Sequence, residues 1–420
     1  MHYKRSKPAV IQVYRLNCNI VYGMISKPNR LYFIDAMRAW AILMMLQGHF
    51  VDGLLATVFR DDSHLGYATW LYFRGITAPV FFTVSGFIFT YLLIRGNQTG
   101  FENPRVLKGI KRGLQLIFIG YLLRLNFWGL FVGEIYDSFY LVDVLHCIGL
   151  SILGIISLYV LTENRKKLFP IALVAITILL FIFEPNYKEW SHLYLPKAAA
   201  NYLTKVNGSI FTIFPWFGYA TCGAFLSLIF TKYKDYKYLY PIAILTSIVV
   251  GSGLLFGSSE VFLYLAEVTK IQLFADVFFN NYLFIRLGDV FIVFAVFMLL
   301  RKFLTNSTLL KIGQSTLSIY VVHFIFLYGS FIGLGLYYYF NHSLSPLVVI
   351  PGAIIFMVTC TYFALYYERN KITVKSTINS KLRRVGYYFE PWFLFAYELS
   401  KDFYVKAKNT LLKLFRLVKD

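Results

Sequence analysis

The chain has 420 residues, of which 58% are hydrophobic, 19% aromatic and only 15% charged, a balance that excludes an ordinary soluble globular protein. Its 41 Lys and Arg against 21 Asp and Glu give a formal net charge of +20, but the cations lie in short stretches between apolar runs and not on one folded face, which argues against nucleic acid as a partner. The four cysteines, Cys18, Cys147, Cys222 and Cys360, show no C-x-x-C spacing, so neither a disulfide framework nor a zinc site is expected, and no metal is assigned.

From the N-terminus, residues 1–32 carry Lys4, Arg5, Lys7 and Arg15 without an apolar core and small-residue cleavage site. They read as a cytoplasmic segment and not as a cleavable signal peptide, with Met24 an alternative start. Residues 33–367 read as an all-α, polytopic integral membrane domain of about ten transmembrane helices. The spans are expected at 33–58, 67–94, 106–127, 139–161, 169–184, 209–231, 239–257, 283–300, 309–336 and 346–367, where apolar runs approach the ~20 residues that cross ~30 Å of hydrocarbon. Every second gap is basic: Arg95 with Arg105, Lys108, Lys111 and Arg112; Arg165 to Lys167; Lys232, Lys234 and Lys237; Arg301, Lys302 and Lys311. The gaps between them hold few cations, so the positive-inside rule places both termini in the cytoplasm. Residues 368–420 form a basic tail whose end interleaves Lys406, Lys408, Lys413 and Arg416 with Leu411, Leu412, Leu414 and Phe415. That amphipathic pattern suits an anionic inner leaflet.

Ionisable side chains inside spans are costly, and each is a candidate for function. The first span supplies four. At ~100° per residue, His49 falls ~20° around the helix from Arg38, with Asp35 ~60° to one side and Asp52 ~40° to the other. Two readings stay open for Asp35 and Arg38: a part in the chemistry, or an ion pair that pins the helix mouth. His49 lies ~16 Å further along the axis, and with Asp52 at i+3 it has the equipment of an oriented general base. Asp143 and His146 form a further i, i+3 pair, and Thr316, Tyr320 and His323 form an i, i+4, i+7 stripe. Arg74, Arg124, and Arg286 with Asp289 lie toward the same outer level. Groups of both signs at one depth imply a polar chamber open to the outer side; for any single arginine, snorkelling to the interface is the alternative.

The opening Arg30-Leu-Tyr-Phe-Ile-Asp-Ala-Met-Arg-Ala-Trp-Ala-Ile-Leu, continuing to His49, resembles the start of the transmembrane acyltransferase superfamily, and Arg38 with His49 reproduces the R-x10-H spacing of its bacterial branch. Ala39 stands where that pattern usually has Gly. Phe81-Phe-Thr-Val-Ser-Gly-Phe is similar to the superfamily's second-span motif, and its lead-in, Arg74-Gly-Ile-Thr-Ala-Pro, resembles the heparan-alpha-glucosaminide N-acetyltransferase branch. Val142-Asp-Val-Leu-His-Cys-Ile-Gly-Leu, Phe214-Pro-Trp-Phe-Gly-Tyr and the stretch from Leu310 to His323 fit that branch too.

The resemblance implies an acyl-CoA-dependent enzyme that moves an acetyl group from cytosolic acetyl-CoA to a hydroxyl or amine of a carbohydrate or glycan acceptor across the membrane. Lysosomal relatives place Asn where His49 stands and an essential His in the loop before the second span, where this chain has His64. Bacterial relatives rely on the R-x10-H histidine. Both candidates for the base therefore stay open, with His49 preferred because His64 lies in a polar loop. The expected catalytic set is His49, Arg38, Asp52, His64 and Asp35. The substrate-binding set is Arg74, Asp143, His146, Arg286, Tyr320 and His323, with an arginine or Tyr320 for the oxyanion. Arg105, Lys108, Lys111 and Arg112 are candidates for the CoA phosphates, although topology alone explains them. The expected setting is a bacterial inner membrane, with the lipid bilayer as partner and room for a homodimer. The rival readings are a transporter or flippase, and a non-catalytic partner subunit of the same fold.

Overall fold

The computed structural model describes residues 30–96, 98–165, 167–190 and 194–417, with side chains beyond Lys381 described for Tyr388, Glu398 and Lys401. The N-terminal segment up to residue 29, Cys18, and the side chains of the amphipathic tail end lie outside the described residues. The chain divides into two units, Met1–Thr361 and Tyr362–Asp420. Among the described residues the fold is all helical, relieved by two isolated bridges, Leu55 to Leu344 and Asn126 to Phe331.

The helices that build the first unit are α1 (Tyr32–Leu54), α2 (Leu65–Leu93), α3 (Pro104–Arg124), α4 (Val144–Leu161), α5 (Leu168–Ile182), α6 (Ile213–Lys232), α7 (Leu239–Ser252), α8 (Ser258–Thr269), α9 (Gln272–Phe279), α10 (Tyr282–Leu299), α11 (Ser307–Gln314) and α12 (Thr316–Tyr328); α13 (Pro346–Leu417) begins in it. Among the described residues, six helices are long and apolar enough to cross a membrane: Leu65–Leu93, Asp137–Leu161, Ile213–Lys232, Leu239–Thr269, Tyr282–Lys302 and Pro346–Lys381. A seventh results if α11 and α12, bent by 71°, are one broken span. The chain is an integral membrane protein.

Three expected spans do not qualify by length and composition, each for a visible reason. Helix α1 carries Asp35, Arg38, His49 and Asp52 on otherwise apolar surface, α3 carries Arg105, Lys108, Lys111, Arg112 and Arg124, and α5 has 15 residues. Two expected boundaries are corrected. The stretch 258–282, read as a loop, is helical: a π turn at Gly253–Gly257 carries α7 on into α8, and α9 follows. The expected 309–336 span breaks at Ser315 and ends at Tyr328, because Gly329 takes a left-handed conformation (φ 66°) that closes the helix.

The interior is held by backbone approach and by ring packing. Helices α2 and α6 cross so closely that a Cβ on Gly86 would stand 1.9 Å from the Ala220 carbonyl oxygen, and one on Gly223 1.8 Å from that of Thr83. Such small-residue crossings are how membrane helices gain contact area without a hydrophobic driving force between them. Phe33, Ile34, Met37 and Ala41 of α1 pack into one buried cluster with Val80, Val84 and Phe87 of α2, Phe230 of α6 and Phe294 of α10. The first half of α1 is therefore dry packing. Its second half is a cavity wall.

Candidate active site

A cavity of about 900 Å³ is lined on one side by Met44, Met45, His49 and Asp52 of α1 and faced by Arg74, Thr77, Ala78 and Phe81 of α2. The end of α3 adds Arg124, the start of α4 adds Asp143, and the end of α12 adds Phe324 and Tyr328. Two chain returns complete the walls. Phe331 is stitched to the end of α3 through Phe127 N–H to Phe331 O (2.8 Å) and Phe331 N–H to Leu125 O (3.1 Å). Residues 341–345 lie across the end of α1 through His342 N–H to Gly53 O (3.0 Å), Leu344 N–H to Leu54 O (2.9 Å) and Ala56 N–H to Leu344 O (2.9 Å). Phe331 (φ 71°) and His342 (φ 48°) are both non-glycine residues in the left-handed region, so tertiary context fixes where their side chains go.

His49 is half-buried in this wall, and its Nδ1 lies 2.9 Å from the Tyr328 hydroxyl. A neutral imidazole whose Nδ1–H is donated to a tyrosine oxygen keeps Nε2 as a lone-pair acceptor. Asp52, one turn on, does not take up the expected bond to His49: its carboxylate is ion-paired to Arg74. The tyrosine at the end of α12 holds the ring instead. Arg124 pairs with Asp143 (3.1 Å) and lies over the Phe324 ring.

Several expected site residues lie elsewhere. Asp35 is buried between Arg30 (2.6 Å) and Arg38 (3.8 Å), while Arg38 donates to Thr316 Oγ1 (3.0 Å) at the start of α12. This cluster is outside the cavity lining, and a Cβ on Gly313 would stand 1.9 Å from the Asp35 carbonyl oxygen. His146 is fully buried and accepts the Asp143 N–H at Nδ1 (3.0 Å), closing a capping box at the start of α4; it caps a helix and does not line the cavity. Tyr320 and His323 are buried behind the wall, with the His323 ring centroid 5.4 Å from that of His49. Arg286 pairs with Asp289 (2.9 Å), which also accepts from the Tyr72 hydroxyl (2.5 Å), behind Gly75 and away from the cavity surface. Arg105, Lys108, Lys111 and Arg112 are exposed on α3 and do not line the cavity. His64 is exposed at the start of α2. In the same loop, Ser63 donates its hydroxyl (2.7 Å) and its N–H (2.9 Å) to Asp61, which holds that carboxyl below its ordinary value. Among the described residues no group of three or more His, Cys, Asp or Glu is arranged to hold a metal.

The lining also contains groups that sequence spacing does not single out: Tyr328, Tyr337, Arg60 and His342. Tyr328 is off the Thr316–Tyr320–His323 stripe, and Arg60 and His342 read as loop residues. His342 had one available signal, as a histidine in a short loop flanked by spans.

The family model described as heparan-alpha-glucosaminide N-acetyltransferase, catalytic, matches residues 30–268. That stretch holds His49, Asp52, Arg74, Arg124 and Asp143 and stops before Tyr328, Tyr337 and His342. No curated protein matches the chain.

Proposed function

Since the chain belongs to the family of heparan-alpha-glucosaminide N-acetyltransferase catalytic domains, we propose that it is an acyl-CoA-dependent membrane acyltransferase whose active site is the cavity beside His49, with a carbohydrate hydroxyl or amine as acceptor. The observation that supports this most directly is the His49–Tyr328 pair: an imidazole on the wall of a cavity of about 900 Å³, tethered at Nδ1.

In this reading acetyl-CoA is the acyl donor substrate. His49 Nε2 takes the proton from the acceptor O–H or N–H as the acceptor attacks the thioester carbonyl. The tetrahedral intermediate then collapses with loss of the C–S bond, and the CoA thiolate leaves as the thiol with the proton carried by His49. Arg74 and Arg124 line the cavity and are the candidates for charge developing on the carbonyl oxygen; Tyr320, behind the wall, is not placed to do so. Tyr328 holds the His49 ring, and Asp52 holds Arg74. Trp216, Phe211 and Tyr282 on the lining offer flat apolar faces for a sugar ring.

The same reading puts the acceptor on the outer side of the membrane, both termini in the cytoplasm and about ten crossings, with α1, α3 and α5 spanning as part of the bundle. The cavity floor is at Met44, Met45 and Phe81, so a thioester arriving from the Arg38 end requires the packing at Ala41 and Val80 to part. The test is transfer of labelled acetyl from acetyl-CoA to a sugar by purified protein, compared with His49→Ala. Turnover that is unaltered in that variant removes the proposed base, and a protein that binds no acetyl-CoA favours a transporter of the same fold.

A further inference from the structure

The wall across the end of α1 carries more positive than negative charge. Asp52 faces both Arg74, its ion-pair partner, and Arg60. The other carboxylate of the lining, Asp143, is committed to Arg124. Among the described residues Arg60 has no carboxylate hydrogen bond: its Nε donates to Leu55 O (3.2 Å), and its Nη2 donates to Asp52 O and to His342 Nδ1 (2.8 Å). These bonds leave Nη1 unengaged among the described residues. An arginine can only donate, so His342 Nδ1 is the acceptor, and the neutral ring carries its proton on Nε2. Among the described residues Arg60 and His342, both on the cavity lining and in contact with each other, therefore each keep an N–H without a hydrogen-bond partner.

The placement is imposed by the fold. His342 holds φ 48° within the 341–345 strap, which is pinned to Gly53, Leu54 and Ala56 by three backbone hydrogen bonds. A residue with a Cβ is disfavoured in the left-handed region, and a backbone outlier beside a cavity is an observation from which function can be argued. Both residues flank the cavity beside Asp52, and His342 lies outside the stretch that matches the family.

We propose that Arg60 and His342 form an oxyanion-binding subsite that takes a carboxylate or phosphate group carried by the acceptor. Two donors and one surplus positive charge suit an anionic oxygen group, and they favour it over a neutral hydroxyl because a charge-assisted bond to a guanidinium is roughly twice as strong as a neutral one. The subsite rests on the transferase reading for the identity of its ligand as the acceptor. It also sets the acceptor's orientation, with the charged group held at the strap and the reacting hydroxyl or amine directed toward His49.

The experiment measures binding of glucose, glucuronic acid and glucose 6-phosphate to the purified full chain by calorimetry, with acetyl-CoA measured separately. The wild-type protein is expected to bind the two charged sugars at least about tenfold more tightly than glucose, in line with ~1.4 kcal/mol. Arg60→Gln is expected to remove that preference, Arg60→Lys to keep part of it, and His342→Ala to reduce it about threefold, with acetyl-CoA affinity within about twofold of wild type throughout. His342→Ala leaves Arg60 in place, and His342→Asn, which suits the left-handed conformation, serves the same purpose, so the pair reads the subsite if Arg60→Gln fails to fold. Equal affinity for glucose and glucuronic acid overturns the proposal, as does a preference that survives Arg60→Gln. A loss that appears in acetyl-CoA binding instead assigns the subsite to the donor's phosphates and overturns it as well. A charged-sugar preference that depends on Arg60, in a protein that transfers no acetyl group, sinks the transferase reading and leaves the subsite standing.

Discussion

Helix α1 carries two carboxylates among arginines, and their surroundings differ in kind. Asp35 is 7% exposed, closed in by Arg30 and Arg38 beside the backbone of α11, with dry packing from Phe33 to Ala41 around the same turns. Asp52 faces a cavity of about 900 Å³, paired to Arg74, with Arg60 of the connection after α1 beside it and the strap that brings His342 lying across the end of the helix. In the first cluster the charges satisfy one another around a carboxylate that is itself covered, while Arg30 and Arg38 stay partly exposed. In the second they are paired and accessible. Residue type alone does not separate a structural ion pair from a site in a membrane; access does, and access is set by what neighbouring chain covers.

The contrast breaks most visibly at His49. His49→Ala should lower acetyl transfer about 10³-fold, within the usual range for loss of a positioned base, while the thermal midpoint in detergent stays close to wild type. A variant that loses folding and activity together would instead put His49 with the packing residues.

The two carboxylates give a matched pair of tests. Asp52→Asn should reduce kcat/KM about thirtyfold by freeing Arg74 from its partner, with little change in stability. Asp35→Asn should do the reverse, costing about 1–2 kcal/mol through the weakened bonds to Arg30 and Arg38, with kcat/KM of the folded fraction within about twofold. Thermal denaturation and steady-state rates on the same preparations decide the matter. Equal kinetic losses in both variants would erase the distinction.

Much of the first cluster and the position of His49 were legible in the sequence, because they lie on one helix whose angular geometry is fixed. Arg38 and His49 share a face, and that face meets α12: Arg38 reaches Thr316 at its start and His49 reaches Tyr328 at its end. What was hidden depends on chain that returns from far away. Tyr328 supplies the bond that was expected of Asp52, and His342 reaches the cavity through a strap held to the end of α1. Helical periodicity carries no information about either. The capping role of His146 was masked for another reason, since an i, i+3 pair at the start of a helix reads equally well as a cap or as a polar site.

Tyr328→Phe sharpens the picture at smaller amplitude. The ring loses its partner at Nδ1 but stays packed among Phe324 and Tyr337. We expect kcat to fall about fivefold to tenfold with KM little changed, as befits a group that acts by holding the imidazole in one tautomer and orientation. A change confined to KM would instead make Tyr328 a contact for substrate.

The smallest effect is expected at His64, and it bears on the choice of base. His64 begins α2 with its side chain exposed, makes no side-chain cap bond, and stands in the polar turn with Asp61 and Ser63. For it to act as the base, the turn would have to carry it onto the cavity wall past Arg60 and Arg74, which are anchored to Asp52 and the end of α1. His49 needs no such movement, being already on the wall with its ring held. His64→Ala should therefore leave kcat/KM within about twofold of wild type when assayed beside His49→Ala. A loss comparable to that of His49→Ala would mean that the loop closes over the cavity during turnover, and it would move the proton-accepting role, or a share of it, from α1 to the connection before α2.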